Sequence, residues 1–432
     1  MQKNIIESNF LFCKKWVFLA VSALASSGLL SIIIVFLRLP FISSNIPSAQ
    51  YIFDNALTIH VNLSILVWMC SIISLLFIIN LPYAKSWFNL FWILSIFGMS
   101  LMFVSAFVPN SEVIKSNYIP VLENKLFLFG LSLFVFSILI TLILALSKQT
   151  SLLSVGQVGI AVIFLCSFLC FVLAYQNMSP NLYHSDKNLF YEYLFWGGGH
   201  LLQFAFTQGM FLVYLIMLNP TNSKITTLPL LINTILAACA PFIYFIYPVD
   251  SVELIQFFTW HMRIAGAFLP CFLIILVYCN IKTLINDKDN YLLHSFLLFI
   301  YGGVLGVLTI EGNVVIPAHY HGSVVGITIA FMNFIYWLLP QLNCKKAKNF
   351  IVKLQIYSYS IGHLLHITGL VWLGGYGALR KTANLPEISS ILARICFIIG
   401  GVISVIGGML FIVIIFSQLF TKCDNFPKNK MN

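Results

Sequence analysis

Two histidines two residues apart, His319 and His321 in AHYHG, head the apolar run VIPAHYHGSVVGITIAFMNFIYWLLPQL. Neutral imidazole is the commonest metal ligand and a usual axial ligand of haem iron. On a helix, residues i and i+2 point about 200° apart. His319 and His321 therefore face nearly opposite sides of one helix. They cannot easily share a metal, but each can hold a different haem, with a second ligand supplied from elsewhere. The chain has nine histidines. His60, His200 and His261 also stand near the heads of apolar runs, His363 and His366 form HLLH inside another, and His184 and His294 lie apart. An ionisable side chain inside a membrane is costly and tends to mark function. Imidazoles from four helices in one depth band point to a shared metal or haem layer. The blander reading has each of them hydrogen-bonding at the headgroup boundary.

The elements that must position these rings follow from composition. Of 432 residues, 60% are hydrophobic and 8% charged, and the mean hydropathy is +0.96. A soluble globular chain carries about 25% charged residues, so this one has lipid as its main solvent. A spanning helix needs about 20 mostly apolar residues, and that rule gives about twelve spans. They fall near 16–37, 55–80, 87–108, 125–147, 155–176, 193–218, 228–248, 258–281, 292–310, 318–340, 350–374 and 389–418. The fold class is an all-α membrane protein, with residues 1–432 as one transmembrane domain. No soluble domain fits between the short connectors. The net charge of +10 could mean nucleic acid, but in a membrane chain it reads as positive cytoplasmic loops. Most of the Lys and Arg, including Lys14, Lys15, Lys345, Lys346 and Lys348, fall on the N-terminal side. Both termini are then cytoplasmic, and His60, His200, His261, His319 and His321 lie at outer helix ends. The ten cysteines form no CxxC pair, so neither a disulfide framework nor a zinc site is read from them. MQKNIIESNFLFCKKW reads as the lead into a retained first helix.

The motifs resemble subunit I of the haem-copper oxidase superfamily, which includes cytochrome and quinol oxidases and the related nitric oxide reductases. The resemblance covers most of the chain. AHYHGSVVGITIAFMNFIYWLLP looks like the family's tenth span, LTIHVNLSILVW like its second, FWGGGHLLQFAF like its sixth, and HLLHITGLVWLGGYGALRK like its eleventh with the basic pair that follows. The resemblance implies His60 and His321 as axial ligands of a low-spin haem and His319 as ligand of a high-spin haem. It implies His200 and His261 as ligands of copper, or of non-haem iron, beside the high-spin haem. Arg380 and Lys381, and Arg38 at the end of the first span, would contact haem propionates. His200, His261 and His319 would be the catalytic set.

Three positions depart from the family pattern. The family places two adjacent histidines at its eighth span, where this chain has Trp260 before His261, and an indole N–H is a donor only. Met262 offers a soft sulfur instead. Phe204 stands where oxygen-reducing members often carry a tyrosine and nitric oxide reductases a glutamate, and Leu202 stands at the usual proton-delivery glutamate. Tyr244 or Tyr247 could stand in for the tyrosine, and Glu311, Gln203 or Gln208 could carry protons or face a neighbouring helix. The implied activity is a divergent terminal oxidase reducing dioxygen to water. The alternatives are a nitric oxide reductase, or a haem-binding electron carrier or gas sensor. A twelve-span transporter would show related halves and helices broken near the midplane, which the sequence lacks. The implied partners are lipid, other oxidase subunits including an electron-delivering one, and cytochrome c or quinol, in a bacterial inner membrane. No nucleic-acid partner is expected.

Overall fold

In lipid every backbone N–H and C=O must be satisfied within the chain, which leaves the helix as the spanning element. The computed structural model describes residues 7–37, 42, 45–79, 81, 87–146, 154–220, 223–287, 290–308, 313–377 and 391–421. The helices are α1 (Glu7–Leu37), α2 (Ala49–Val61), α3 (Trp68–Ile78), α4 (Trp87–Ser105), α5 (Lys125–Leu146), α6 (Ser154–Asn177), the short α7 (Leu182–Ser185), α8 (Lys187–Leu218) and α9 (Ser223–Cys239). They continue with α10 (Val252–Ile264), α11 (Phe268–Cys279), the short α12 (Ile281–Asn286), α13 (Leu292–Val307), α14 (Val315–Gln341), α15 (Asn349–Gly375) and α16 (Ile391–Phe420). A π-helical turn, Asn62–Val67, joins α2 to α3, and a 3-10 turn, Ala240–Phe245, ends α9.

Among the described residues, ten helical segments are long and apolar enough to cross a membrane, counting α2 with α3 and α10 with α11 as one each. Two more helices occupy the ninth and eleventh expected positions. α13 is apolar but has only 16 residues, and α15 has 27 residues but a polar face, QIYSYSIGH. Arg38, Glu311, Arg380 and Lys381 lie outside the described residues.

Small residues let the helices approach backbone to backbone, as lipid-embedded bundles do. On α15 and α16 the glycines are seven residues apart. A Cβ at Gly362 or Gly369 would lie 2.4 or 2.5 Å from the backbone of Ser404 or Phe397, and one at Gly400 or Gly407 2.3 or 2.5 Å from that of His366 or Tyr359. Gly302 and Gly322 cross in the same way between α13 and α14.

Sequence reading treated residues 109–124 as a plain outer connector. They form an antiparallel hairpin, β1 (Glu112–Ile114) and β2 (Val121–Glu123), in the register Glu112↔Glu123 and Ile114↔Val121. Two ion pairs, Lys115–Asp54 and Lys187–Glu112, and a bond from the Asn62 side-chain amide to the Pro120 carbonyl (2.7 Å) tie it to α2 and α8.

Candidate functional site

A cavity of about 290 Å³ opens between α1, α2, α14, α15 and α16. His60, His321, His363 and His366 all line it. His60 ends α2, where the backbone widens into the π turn, a local irregularity that often accompanies functional positions. Its Nδ1 lies 3.1 Å from the Ser27 carbonyl and 2.8 Å from the Ser27 hydroxyl, which itself donates to the His60 carbonyl. The Nδ1 of His321 donates to the Pro317 carbonyl (2.7 Å), and that of His366 to the Phe397 carbonyl (2.9 Å). A carbonyl can only accept, so in each ring the proton is on Nδ1 and the lone pair on Nε2. This is how proteins orient imidazole ligands. Ser27, Gly28 and Ser31 of α1 and Gly401, Ser404 and Gly408 of α16 make low walls, leaving room for a flat group.

His319 faces elsewhere. Its Nδ1 donates to the Gly302 carbonyl (2.7 Å), and its ring lies where a Cβ at Gly306 would stand. The two histidines of AHYHG thus serve different neighbours, α13 for His319 and α15 for His321.

His200 is buried at 3% exposure in a socket of aromatic rings on α8. GGGH supplies the socket. A Cβ at Gly197 would meet Tyr244 and Phe258, one at Gly198 would meet Phe171, and one at Gly199 would meet Tyr118, all within 2.7 Å. Tyr118 comes from the tip of the β1–β2 hairpin. Its φ is +66°, an uncommon conformation for a bulky residue. Two contacts hold the tip: the Asn117 backbone N–H donates to Glu192 (2.8 Å), and the Asn117 side-chain amide donates to the same carboxylate. The Tyr118 hydroxyl lies 2.9 Å from His200 Nε2, while His200 Nδ1 donates to the Trp196 carbonyl (2.7 Å). Burial first, then the Glu192 charge, push the Tyr118 phenol above its usual range, so it is a neutral O–H donor to the Nε2 lone pair. Nothing in the sequence marked Tyr118. The contact spans 82 positions and depends on one left-handed residue in a loop.

His261 sits on α10, the helix of the most peripheral span. Only 28% of that span's most apolar stretch is buried, against 83% for the span bearing His60. Its ring stacks between Phe204 and Phe257, its Nε2 lies 3.0 Å from the Leu236 carbonyl, and its Nδ1 has no hydrogen-bond partner. Trp260 is 56% exposed with Arg263 over its face, and the Met262 sulfur folds back on Gly266. Tyr244 is buried beside Gly197, whereas Tyr247 is exposed. Gln208 clasps three helices, donating to the Gly156 carbonyl and accepting from Asn233. His294 pairs with Ser360 between α13 and α15, and His184 is exposed on α7.

A family model described as Cytochrome C and Quinol oxidase polypeptide I matches residues 12–410. The chain belongs to this oxidase subunit I family. It is also similar to an uncharacterized protein of Rickettsia prowazekii (strain Madrid E), 31% identical over 94% of this chain and 95% of the relative. An uncharacterized protein of Aquifex aeolicus (strain VF5) is 22% identical over 76% of this chain and 84% of its own.

The family's cofactors can be tested against these residues. A haem with two imidazole ligands fits the first cavity, where His60 and His321 line a slot walled by small residues. His319 has the tautomer and the backbone anchor of an axial ligand. At the copper position the two histidines differ: the His200 lone pair meets the Tyr118 phenol, whereas His261, stacked between phenyl rings with Nε2 at the Leu236 carbonyl, has its Nδ1 lone pair without a hydrogen-bond partner among the described residues. Among the described residues, no group of three or more His, Cys, Asp or Glu is placed to hold a metal ion.

Proposed function

We propose that this oxidase subunit I-like membrane protein carries electrons through a low-spin haem held by His60 and His321. The observation that carries this reading is the cavity lined by both rings, each fixed at Nδ1 by a backbone carbonyl. Bound there, a bis-imidazole haem supplies one-electron transfer. The protein's part is orientation and exclusion of water. The Ser27 and Pro317 carbonyls hold the rings, the small residues of α1 and α16 would leave room for a porphyrin, and apolar side chains such as Leu24, Val324 and Ile412 line the slot against water. Arg38, Arg380 and Lys381 would pair with the propionates, as guanidinium and ammonium groups pair with carboxylates.

A second haem on His319, open to a diatomic gas on its other face, is supported by the Gly302 anchor. Reduction of dioxygen to water, or of nitric oxide, would take place there, with electrons from cytochrome c or quinol through a partner subunit. The engagement of the His200 lone pair by Tyr118, and an indole at Trp260 in place of a further imidazole, favour an electron carrier or gas-binding protein over a copper-dependent oxidase. Twelve spans with both termini in the cytoplasm of a bacterial inner membrane complete the reading.

The test is the dithionite-reduced optical spectrum of protein purified from a haem-competent host, with and without carbon monoxide. Two haems per chain, one shifting with carbon monoxide, support the whole proposal. One haem insensitive to carbon monoxide supports the carrier alone. No haem in such protein sinks both.

A further inference from the structure

We propose that His363 is a second axial ligand in the same cavity, able to take the haem iron in place of His321. This rests on the haem reading above and deepens it. The haem cavity has more imidazoles than one iron can use, and they are not equivalent. His60, His321 and His366 each have Nδ1 at a backbone carbonyl. His366 is further fixed by stacking on Phe397 at 4.5 Å, so it serves as wall. His363 differs. It lines the cavity, but its Nδ1 is sealed from solvent and has no hydrogen-bond partner among the described residues. Leaving such a group unmet is destabilising. Among the described residues its ring contacts are the edge-on ring of Tyr359, at 4.5 Å, and the tilted ring of His321.

Its position suits an exchange. The His363 and His321 ring centroids are 6.3 Å apart, and His363 lies within electrostatic reach of His60 across the cavity. An unpinned imidazole can rotate toward a position that a pinned one already serves. α15 itself is locked to α16 by the seven-residue glycine spacing, so the exchange needs only a side-chain rotation. The ligand class is an iron porphyrin that accepts two imidazoles. The Fe–N bond to His321 would break and that to His363 would form, so the haem would have six ligands before and after the exchange, with no change in electron count.

The experiment uses the full chain, purified from a haem-competent host, with haem content, the optical spectrum and low-temperature electron paramagnetic resonance as readouts. His321→Ala is expected to retain the bis-imidazole low-spin signal at half or more of the wild-type amount. His321→Ala with His363→Met is expected to convert it to the distinct signature of one imidazole and one thioether. If His321→Ala by itself gives a five-coordinate haem or an empty cavity, the proposal is overturned. An unchanged spectrum in the methionine double variant overturns it as well. A wild-type chain without a low-spin haem, or one whose low-spin signal survives His60→Ala, instead sinks the haem assignment on which the proposal rests.

Discussion

At His200 the sequence named the residue but not its partner. GGGH was legible as a glycine run before a histidine, and the family match gave that histidine to a metal. The structure gives its lone pair to Tyr118. A buried acceptor that loses its donor costs about 1–3 kcal/mol. Tyr118→Phe removes the hydroxyl and keeps the ring in the Gly199 socket, so the loss should be local. Amide hydrogen exchange over residues 111–124 is expected to quicken by about tenfold, since 1.4 kcal/mol is a factor of ten, with α14 and α15 unchanged. Exchange that stays at the wild-type rate would mean that the phenol is not holding the hairpin. Metal analysis is the companion measurement. Copper below roughly a tenth of an equivalent in wild-type protein is expected, because only His261 offers an unengaged lone pair there, and one equivalent lost on His200→Ala would reverse the assignment. His60, His319 and His321 were legible because a histidine in an apolar run is itself a signal. Tyr118 was not, because tyrosines are common at membrane interfaces and its role depends on a loop geometry that no local pattern encodes.

Among the helices, hydropathy located most elements, and glycine placement decides how they pack. α13 is shorter than a membrane-length rule demands and α15 more polar, yet apolar stretches bounded by polar connectors located both. Their partners could not be read the same way, because contact depends on which glycine faces which backbone. α13 offers an internal comparison. A Cβ at Gly302 would sit 2.2 Å from the backbone nitrogen of Ser323, whereas one at Gly303 meets nothing within 4 Å. Gly302→Ala should push α13 away from α14 and displace the carbonyl that anchors His319. Overpacking of this kind costs about 1–3 kcal/mol, so a lowered Tm in detergent is expected together with an altered carbon monoxide spectrum. Gly303→Ala should hold or raise the Tm, because alanine is favoured over glycine inside a helix by about 0.8–1 kcal/mol. Equal effects of the two substitutions would mean that the Gly302–Gly322 crossing does not set the helix spacing.

Across the whole molecule, the proposed topology has one polarity. In it the lysine-rich connectors and both termini would share one side, and the hairpin with its Tyr118 tip and the helix ends bearing His60, His200, His319 and His321 the other. The positive-inside rule assigns the lysine side to the cytoplasm. The proposed haem cavity would then lie nearer the outer face, and an electron from an outer donor would have the shorter path through lipid-depth protein. This orientation predicts the behaviour of a reporter enzyme that is active only outside the membrane. Fused after Ser185, on the exposed short helix α7, it should be active, and fused after Asp287, beyond α12, it should be silent. The reverse pattern would turn the molecule over. It would place the haem ligands near the cytoplasm and require an electron donor from that side, while leaving the pairing of His60 with His321 untouched. The fusion therefore tests orientation independently of the cofactor, because the charged connectors set the orientation whereas the helices carry the ligands.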